Sequence, residues 1–294
     1  MAEEEREDAA GSGGEMSFWS HLDALRGTLM RIGLTVVVLM VGFFFIMPWF
    51  FDHVILWPCS PDFPLYSALY FIKGDGEFLP NLGNADFEIH LINIKLGTQL
   101  MTHLSASMWL GIAFSFPLII YQLWLFVAPG LYEREKRGAR KAFLFGNVMF
   151  YLGIGMGYFV VFPLALRFLS QYELSAQIQN QLTLDSYMDN FYTVIVSMGL
   201  VFELPLVAWM LGKAGLIKRS FFKRYRRHAI FALTVLSAFI TPTSDIFTLL
   251  VVFTPLFTLW ELSSLLVPKP DPDTVPVAAG DGNDTDAADG RDAG

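Results

Sequence analysis

Two glutamates stand among five basic residues at the point where a long apolar stretch of the sequence ends. Glu133 and Glu135 follow Pro129 and Gly130, and the basic residues around them are Arg134, Lys136, Arg137, Arg140 and Lys141. Proline lacks a backbone N–H and glycine tolerates positive φ, so this pair ends the preceding helix. The charges are therefore expected in a short solvated loop, and their mixture predicts a surface that recognises another molecule.

The sequence carries no pattern typical of a catalytic centre. It contains no Walker loop, no HExxH motif, no nucleophile elbow and no pair of intramembrane aspartates at protease-like positions. The single cysteine, Cys59, excludes an internal disulfide and a cysteine-based metal cluster. No metal-ligand spacing links the histidines, which are His21, His53, His90, His103 and His228. We therefore predict a protein that is not an enzyme and that holds neither a cofactor nor a metal.

Membrane-spanning helices are predicted to position these residues. Of the 294 residues, 54% are hydrophobic and 16% are charged, which is typical of a multi-span membrane protein. Residues 96–132 contain no Asp, Glu, Lys or Arg, although roughly 20 apolar residues suffice to cross a ~30 Å hydrocarbon core. The predicted fold class is therefore an all-α polytopic membrane protein.

Six transmembrane helices are predicted. Their approximate bounds are 30–51, 97–128, 142–169, 187–211, 228–243 and 246–267. Between charged residues, the last two enclose only 17 and 15 residues, or ~22 to 26 Å, so both are expected to be shorter than the membrane. Several helices are expected to be kinked by internal prolines, namely Pro48, Pro117, Pro163, Pro205 and Pro255. The kinks either build a curved wall or reflect the ordinary tolerance of membrane helices for proline.

The N and C termini are both predicted to be cytoplasmic. Of 20 lysines and arginines, 17 fall in the termini and in the two loops assigned to the inside, while Lys73, Lys95 and Arg167 lie outside. Residues 1–15 and 268–294 are predicted to be disordered acidic tails on either side of a membrane domain at 16–267. Because the net negative charge is concentrated in these tails, it gives no indication of nucleic-acid binding.

An amphipathic helix is expected at residues 17–28, before the first span. Its apolar residues recur at helical spacing, which favours a helix lying in the membrane interface. Ser20 and Asp23 form a possible capping box at its start.

Polar groups within the predicted spans need a physical reason, because each costs about 2.5 to 3.5 kcal/mol at mid-bilayer on insertion scales. Glu203 lies inside the fourth span, and it either bonds a neighbouring helix or ordered water, or lines a polar cavity. Glu261 is expected to reach the inner surface, and Asp245 to complement the dipole at the start of the last helix. Small residues in the third span are expected to pack against another helix, namely Gly146, Gly153, Gly155 and Gly157.

Five stretches together resemble the TatC family of the twin-arginine protein translocase. They are HLDALR (21–26), YQLWLFVAPGLYEREKR (121–137), GYFVVFPLALRFL (157–169), GLVFELP (199–205) and ITPTSDIF (240–247), and they occur in the family's order. The resemblance implies a receptor that binds twin-arginine signal peptides on the cytoplasmic face of the bacterial inner membrane. It further implies TatA-like and TatB-like single-span subunits, a homo-oligomer within a receptor complex, and export of folded proteins driven by the proton motive force.

The resemblance also assigns roles to single residues. Glu135 matches the family's signal-recognising glutamate, and this fits the bidentate binding of guanidinium groups by carboxylates; its alternative is a solvated charge paired with a neighbouring arginine. The other residues implied in signal-peptide binding are Phe126, Leu131, Asp23, Arg26 and Glu133. Asp23 precedes the place of a family glutamate, where Ala24 stands, so it is either a substitute acid or only a capping residue.

Two further regions carry implied roles. Glu203 matches the family's buried glutamate, and Thr241 and Asp245 match a turn at which partner helices are thought to pack. Leu249 stands where the family often has a glutamine, and the long segment 60–88 departs from compact members. The alternative function is a proton-coupled secondary transporter with Glu203 as the coupling site, although no internal repeat supports it. A purely structural scaffold comes third.

Overall fold

The computed structural model describes residues 18–66, 89–128, 133–171, 175, 181–213, 215–241 and 246–267. Within these residues the fold is helical and contains no strand, apart from one isolated parallel bridge between Ile92 and Thr183. The two predicted tails and most of the 60–88 segment lie outside the described residues.

The long helices pack antiparallel to their neighbours in sequence. The helices are α1 (Phe18–Phe50), α2 (Thr98–Val127), α3 (Glu133–Met156), α4 (Phe162–Gln171), α5 (Leu184–Val201), α6 (Leu204–Lys213), α7 (Arg219–Arg224), α8 (Arg226–Ile240) and α9 (Ile246–Leu266). A π-helical turn, Gly157–Val161, joins α3 to α4. We call the end of the bundle that holds residues 133–140 and 215–227 the basic end, and the end that holds residues 51–66 and 89–97 the cap end.

Five stretches of described residues are long and apolar enough to cross a membrane. They are Leu22–Tyr66, Thr98–Phe126, Lys136–Ser170, Leu184–Lys213 and Thr248–Leu266. Helix α8 has 15 residues, about 22 Å at 1.5 Å per residue, which confirms that this element is short. The count of six spans and the cytoplasmic location of the termini remain predictions.

The prediction that the last helix is also short is wrong. Helix α9 has 21 residues, about 31 Å, and it continues beyond Glu261. Glu261 marks the end of the apolar run in the sequence, but its carboxylate pairs with Arg226 Nε at 2.9 Å. Because the charge has a partner at the start of α8, it does not end the helix.

Helix α1 is longer at its start than the sequence suggested. It runs unbroken for 33 residues from Phe18, so residues 18–28 belong to this helix and do not form a separate interfacial helix. Ser20 lies inside this helix and therefore does not act as its N-cap, which excludes the predicted capping box. The helix is continuous because no proline lies before Pro48 and the glycines at 27, 33 and 42 are tolerated singly.

A proline in α1 leaves one backbone carbonyl without its usual N–H donor, and a side chain of the neighbouring helix donates to that carbonyl instead. Pro48 has no N–H to donate to the carbonyl of Phe44, four residues earlier. His103 Nε2 of α2 donates to that carbonyl at 2.8 Å, and its ring stacks on Phe44 with 4.2 Å between the ring centroids. A histidine without metal-ligand spacing thus serves to join α1 and α2.

The same arrangement recurs one helix later. Pro117 of α2 frees the carbonyl of Ala113, and the Tyr151 hydroxyl of α3 donates to it at 3.3 Å. Each proline is therefore tolerated because a side chain from the next helix replaces the missing backbone donor.

The cap end is held by tyrosine hydroxyls. Tyr158 donates to the carbonyl of Val54 at 2.6 Å, and Tyr187 donates to the carbonyl of Ile55. Arg167 is 1% exposed and its guanidinium lies 5.1 Å from the centroid of the Tyr66 ring. These contacts fix the segment after α1 onto α4 and α5.

A second contact at the cap end joins the chain before α2 to the start of α5. Lys95 Nζ donates to Asp185 Oδ2 at 2.8 Å. The hydrogen bond and the negative charge of Asp185 raise the pKa of the Lys95 ammonium. The backbone N–H groups of Ile92 and Leu184 extend this junction, since they donate to Leu182 and Ile92 carbonyls respectively.

Glycines of α3 and of the π-helical turn after it allow a close approach to α5, and the sequence predicted such packing against another helix. A Cβ at Gly153 would lie 2.5 Å from the carbonyl oxygen of Met198, and one at Gly157 would lie 3.2 Å from Ile195 Cα. Gly155 faces open space among the described residues, so it does not belong to this contact surface.

Candidate functional site

The predicted recognition residues Glu133 and Glu135 open helix α3 instead of lying in a loop. Helix α2 ends at Val127 and α3 begins at Glu133, so both acids fall in the first turn of α3. A carboxylate in the first turn is stabilised by the helix dipole, by ~0.3 to 1 kcal/mol for an exposed group. The side chains of both residues lie outside the described part of the chain, and so does Leu131. Phe126 is half-buried near the end of α2.

Asp23 and Arg26 lie on the first turns of α1. Both are exposed and they are three residues apart, which places them on neighbouring positions of one helix face. Among the described side chains, none forms a hydrogen bond or an ion pair with either residue. The two residues are therefore accessible, and the described contacts do not join them to α3.

Glu203 occupies a turn inside the fourth predicted span. Phe202 and Glu203 separate α5 from α6, and Pro205 follows two residues later in α6. Both carboxyl oxygens are buried and have no hydrogen-bond partner among the described residues. A Cβ at Gly146 of α3 would lie 3.0 Å from Glu203 Oε2, so the carboxyl points at the backbone of α3.

Other buried polar atoms lie on three of the long helices. Gln122 Oε1 of α2, Asn147 Oδ1 of α3 and the Tyr192 hydroxyl of α5 also have no hydrogen-bond partner within the described chain. The sequence reasoning did not single out these three residues, although Asn147 follows Gly146 directly in an apolar stretch. A polar side chain next to a packing glycine was the available signal.

The predicted partner-contact turn is described only in part. Thr241 is 5% exposed and its hydroxyl donates to the Ser237 carbonyl of its own helix at 2.9 Å. Asp245 lies outside the described residues. Beside the turn, Phe239 and Ile246 are 80% and 77% exposed, so the accessible surface here is apolar.

No cluster of three or more His, Cys, Asp or Glu that could hold a metal ion occurs among the described residues. The polar residues are spread over the two ends and the interior of the helix bundle, and they are not gathered into one pocket.

Comparison with known proteins gives consistent matches over most of the chain. The family model TatC, Sec-independent protein translocase protein, matches residues 20–255. A TatC protein of Campylobacter jejuni is 40% identical over 183 residues, which cover 62% of this chain and 74% of that protein. A TatC protein of Koribacter versatilis is 33% identical over 252 residues, covering 84% of this chain and 83% of that protein. A crystal structure of the twin-arginine translocase receptor TatC in DDM is similar at a TM-score of 0.65 and 27% identity, over 84% of this chain and 99% of that chain.

Proposed function

Because the chain belongs to the TatC family and is a multi-pass membrane component of the Sec-independent protein translocase, we propose that it is the receptor subunit that binds twin-arginine signal peptides. In this proposal the basic end faces the cytoplasm, as its lysines and arginines favour. The receptor works with TatA-like and TatB-like single-span subunits and exports folded proteins by means of the proton motive force. Family membership favours this function over a secondary transporter.

The position of Glu135 carries the proposal. The residue lies in the first turn of α3, at the basic end. A signal peptide with two adjacent arginines presents two planar guanidinium groups, which carboxylates bind bidentately. Glu133 in the same turn, Phe126 near the end of α2 and Leu131, which stands between the two helices in the sequence, are proposed to complete the contact.

Asp23 and Arg26 are proposed as a second contact with the peptide. Both are exposed on the first turns of α1. Ser20 lies inside α1 and does not cap it, which supports a contribution of Asp23 to peptide binding over a capping role.

Three further residues are proposed to act away from the basic end. Glu203 provides a buried polar site within the membrane, supported by its two carboxyl oxygens without partners. Thr241 and Asp245 mark the turn at which a partner helix packs, and exposed Phe239 and Ile246 offer the apolar surface for it.

The deciding experiment is photocrosslinking of a twin-arginine peptide to the full chain in nanodiscs. We expect Glu135→Ala to abolish crosslinking, and Glu135→Gln to be nearly as damaging because it removes the charge that favours arginine. Asp62→Ala, an exposed acid at the cap end, is the matched control and should crosslink normally. A twin-lysine peptide tests whether the planar guanidinium group is required. Unchanged crosslinking of the two Glu135 variants would contradict the proposal.

A further inference from the structure

Helix α7 and its flanking residues carry several exposed positive charges. Lys218, Lys223, Arg224 and Arg227, which we call the α7 bases, are all exposed. None of the four forms an ion pair or a hydrogen bond with another described side chain. Like charges within one Debye length, about 8 Å at physiological salt, repel one another. The α7 bases therefore favour a ligand with several negative charges.

The acid of α9 that lies near this segment already has a partner. Glu261 Oε1 is 2.9 Å from Arg226 Nε at the start of α8. The Arg226 guanidinium also lies 5.4 Å from the centroid of the Phe257 ring of α9. This pair fastens α8 to α9, and it does not compensate the α7 bases.

Packing turns two of the α7 bases away from the bundle. Phe222 is 5% exposed, and its ring centroid lies 4.7 Å from that of Trp260 of α9. Lys223 and Arg224 follow it by about 100° and 200° around the helix. The buried Phe222 thus holds α7 against α9, with these two charges on the outer side of the helix.

The chain leaves α9 directly beside α7. Helix α9 ends at Leu266, and Val267 is 2% exposed and packs against Phe222 of α7 and Ala208 of α6. The backbone N–H of Val267 still donates to the Ser263 carbonyl at 3.2 Å. The start of the C-terminal tail (268–294) is therefore fixed next to the α7 bases.

The C-terminal tail has the charge that the α7 bases lack. It contains seven aspartates and two basic residues, Lys269 and Arg291. Four of the aspartates fall within residues 281–289, which include no lysine or arginine; they are Asp281, Asp284, Asp286 and Asp289. This acidic stretch matches the α7 bases in number of charges and is opposite in sign.

We propose that the α7 bases bind the acidic stretch 281–289 of the same chain. The 14 residues from Val267 to Asp281 can span up to about 45 to 50 Å, whereas α7 is six residues or about 9 Å long. The stretch therefore reaches every α7 base. Attachment beside its site gives such a ligand an effective concentration in the millimolar range, so even weak ion pairs suffice.

Two other anionic groups are less well placed. Anionic lipid headgroups attract basic segments near the membrane surface, but they are not tethered at α7. The acidic residues 1–15 precede α1, which packs against α2 and has no described contact with α7. The proposal does not rest on the receptor function, because neither the α7 bases nor residues 281–289 belong to the proposed peptide contact.

The test measures the distance between α7 and the acidic stretch in the full chain without signal peptide. Nitroxide labels are attached at Ser220→Cys, an exposed position of α7, and at Ala287→Cys, in a Cys59→Ala background. Pulsed EPR in nanodiscs that contain phosphatidylglycerol gives the distance distribution. Binding should hold the labels within about 20 Å, because α7 is only about 9 Å long. Twenty residues of unbound chain should give a broad distribution centred at about 25 Å or beyond.

Neutralising the α7 bases should lengthen and broaden this distribution. The variant is Lys218→Gln/Lys223→Gln/Arg224→Gln. The matched control removes three exposed positive charges of α3 at the same end and should leave the distances unchanged; it is Arg137→Gln/Arg140→Gln/Lys141→Gln. An equal change in both variants would overturn the proposal, since it would indicate general charge attraction.

Exchanging the charges separates binding from misfolding. Glutamates at positions 218, 223 and 224 together with lysines at 281, 284 and 286 should restore the short distances, and failure to restore them would contradict the proposed pairing.

Two further outcomes would assign the α7 bases to another ligand. If the short distances appear only after phosphatidylglycerol is replaced by phosphatidylcholine, anionic headgroups occupy the site and the proposal is wrong. Chains that carry one label each are mixed as the last control. Short distances between such chains would show that the tail of a second copy binds, which would overturn binding within one chain.

Discussion

The bond between His103 and Phe44 should be needed only because Pro48 is present. Pro48 removes the backbone donor of the Phe44 carbonyl, and His103 Nε2 donates to that carbonyl at 2.8 Å. We expect His103→Phe to destabilise the protein, because phenylalanine preserves the ring stacking but has no N–H. In a Pro48→Ala background the backbone N–H of residue 48 can donate instead, and the same substitution should then cost little.

The size of the effect follows from two limits. A buried carbonyl left without a partner costs about 1–3 kcal/mol in proteins generally. Hydrogen bonds between membrane helices average about 0.6 kcal/mol and reach about 1.7 kcal/mol. The His103 bond is only partly buried. We therefore expect His103→Phe to cost about 1 to 1.5 kcal/mol alone and a few tenths with Pro48→Ala, which is a coupling of about 1 kcal/mol.

The measurement is a double-mutant cycle by reversible unfolding in mixed micelles with increasing SDS. The matched control cycle combines His103→Phe with Pro255→Ala, a proline inside α9 that has no described contact with His103. That pair should be additive within about 0.5 kcal/mol. If His103→Phe costs the same with and without Pro48, the carbonyl is not the reason for the histidine and the reasoning is wrong.

Two other pairs of substitutions test the helix contacts. Gly153→Val should destabilise by about 1–3 kcal/mol or more in the same unfolding assay, since a Cβ there lies 2.5 Å from the Met198 carbonyl oxygen, whereas Gly155→Ala should change stability by less than about 1 kcal/mol. Arg226→Gln and Glu261→Gln should show a coupling below about 1 kcal/mol, because both side chains are half-exposed; a larger value would mean that this pair is shielded from solvent.

The sequence shows where the prolines lie, but it did not predict which side chains replace their missing backbone donors. Prolines mark where carbonyls lose a donor, and this is a local property that the sequence shows directly. The replacement donors lie 59 residues from Phe44 and 38 residues from Ala113. Which side chain reaches a given carbonyl depends on the register between helices, and that register is not a local property of the chain.

Charged residues were used to predict where helices end, and this prediction was correct for some helices and wrong for others. The charges predicted the short α8 correctly, but they failed for α9, where Glu261 pairs with Arg226 of the neighbouring helix α8. The charges also led to the prediction that Glu133 and Glu135 lie in a loop, but both residues lie at the start of a helix. Carboxylates are favourable at that position because the N-terminal end of the helix dipole is positive. A charged residue ends an apolar run in the sequence, but a helix can continue through it where a neighbouring side chain pairs with the charge, or can begin at it where the helix dipole stabilises the charge.

Gly146 and Glu203 were separate signals in the sequence and are one feature of the structure. A Cβ at residue 146 would lie 2.5 Å from Leu206 Cδ2 and 3.0 Å from Glu203 Oε2, so any larger residue would displace both side chains. The glycine therefore does more than let two helices approach, because it also leaves room for a carboxyl group without hydrogen-bond partners in the described chain. The turn at Phe202 and Glu203 completes the feature by interrupting the helix where the carboxyl enters. Packing in this part of the bundle is thus arranged around a buried polar group, which a hydrophobic contact alone would not require.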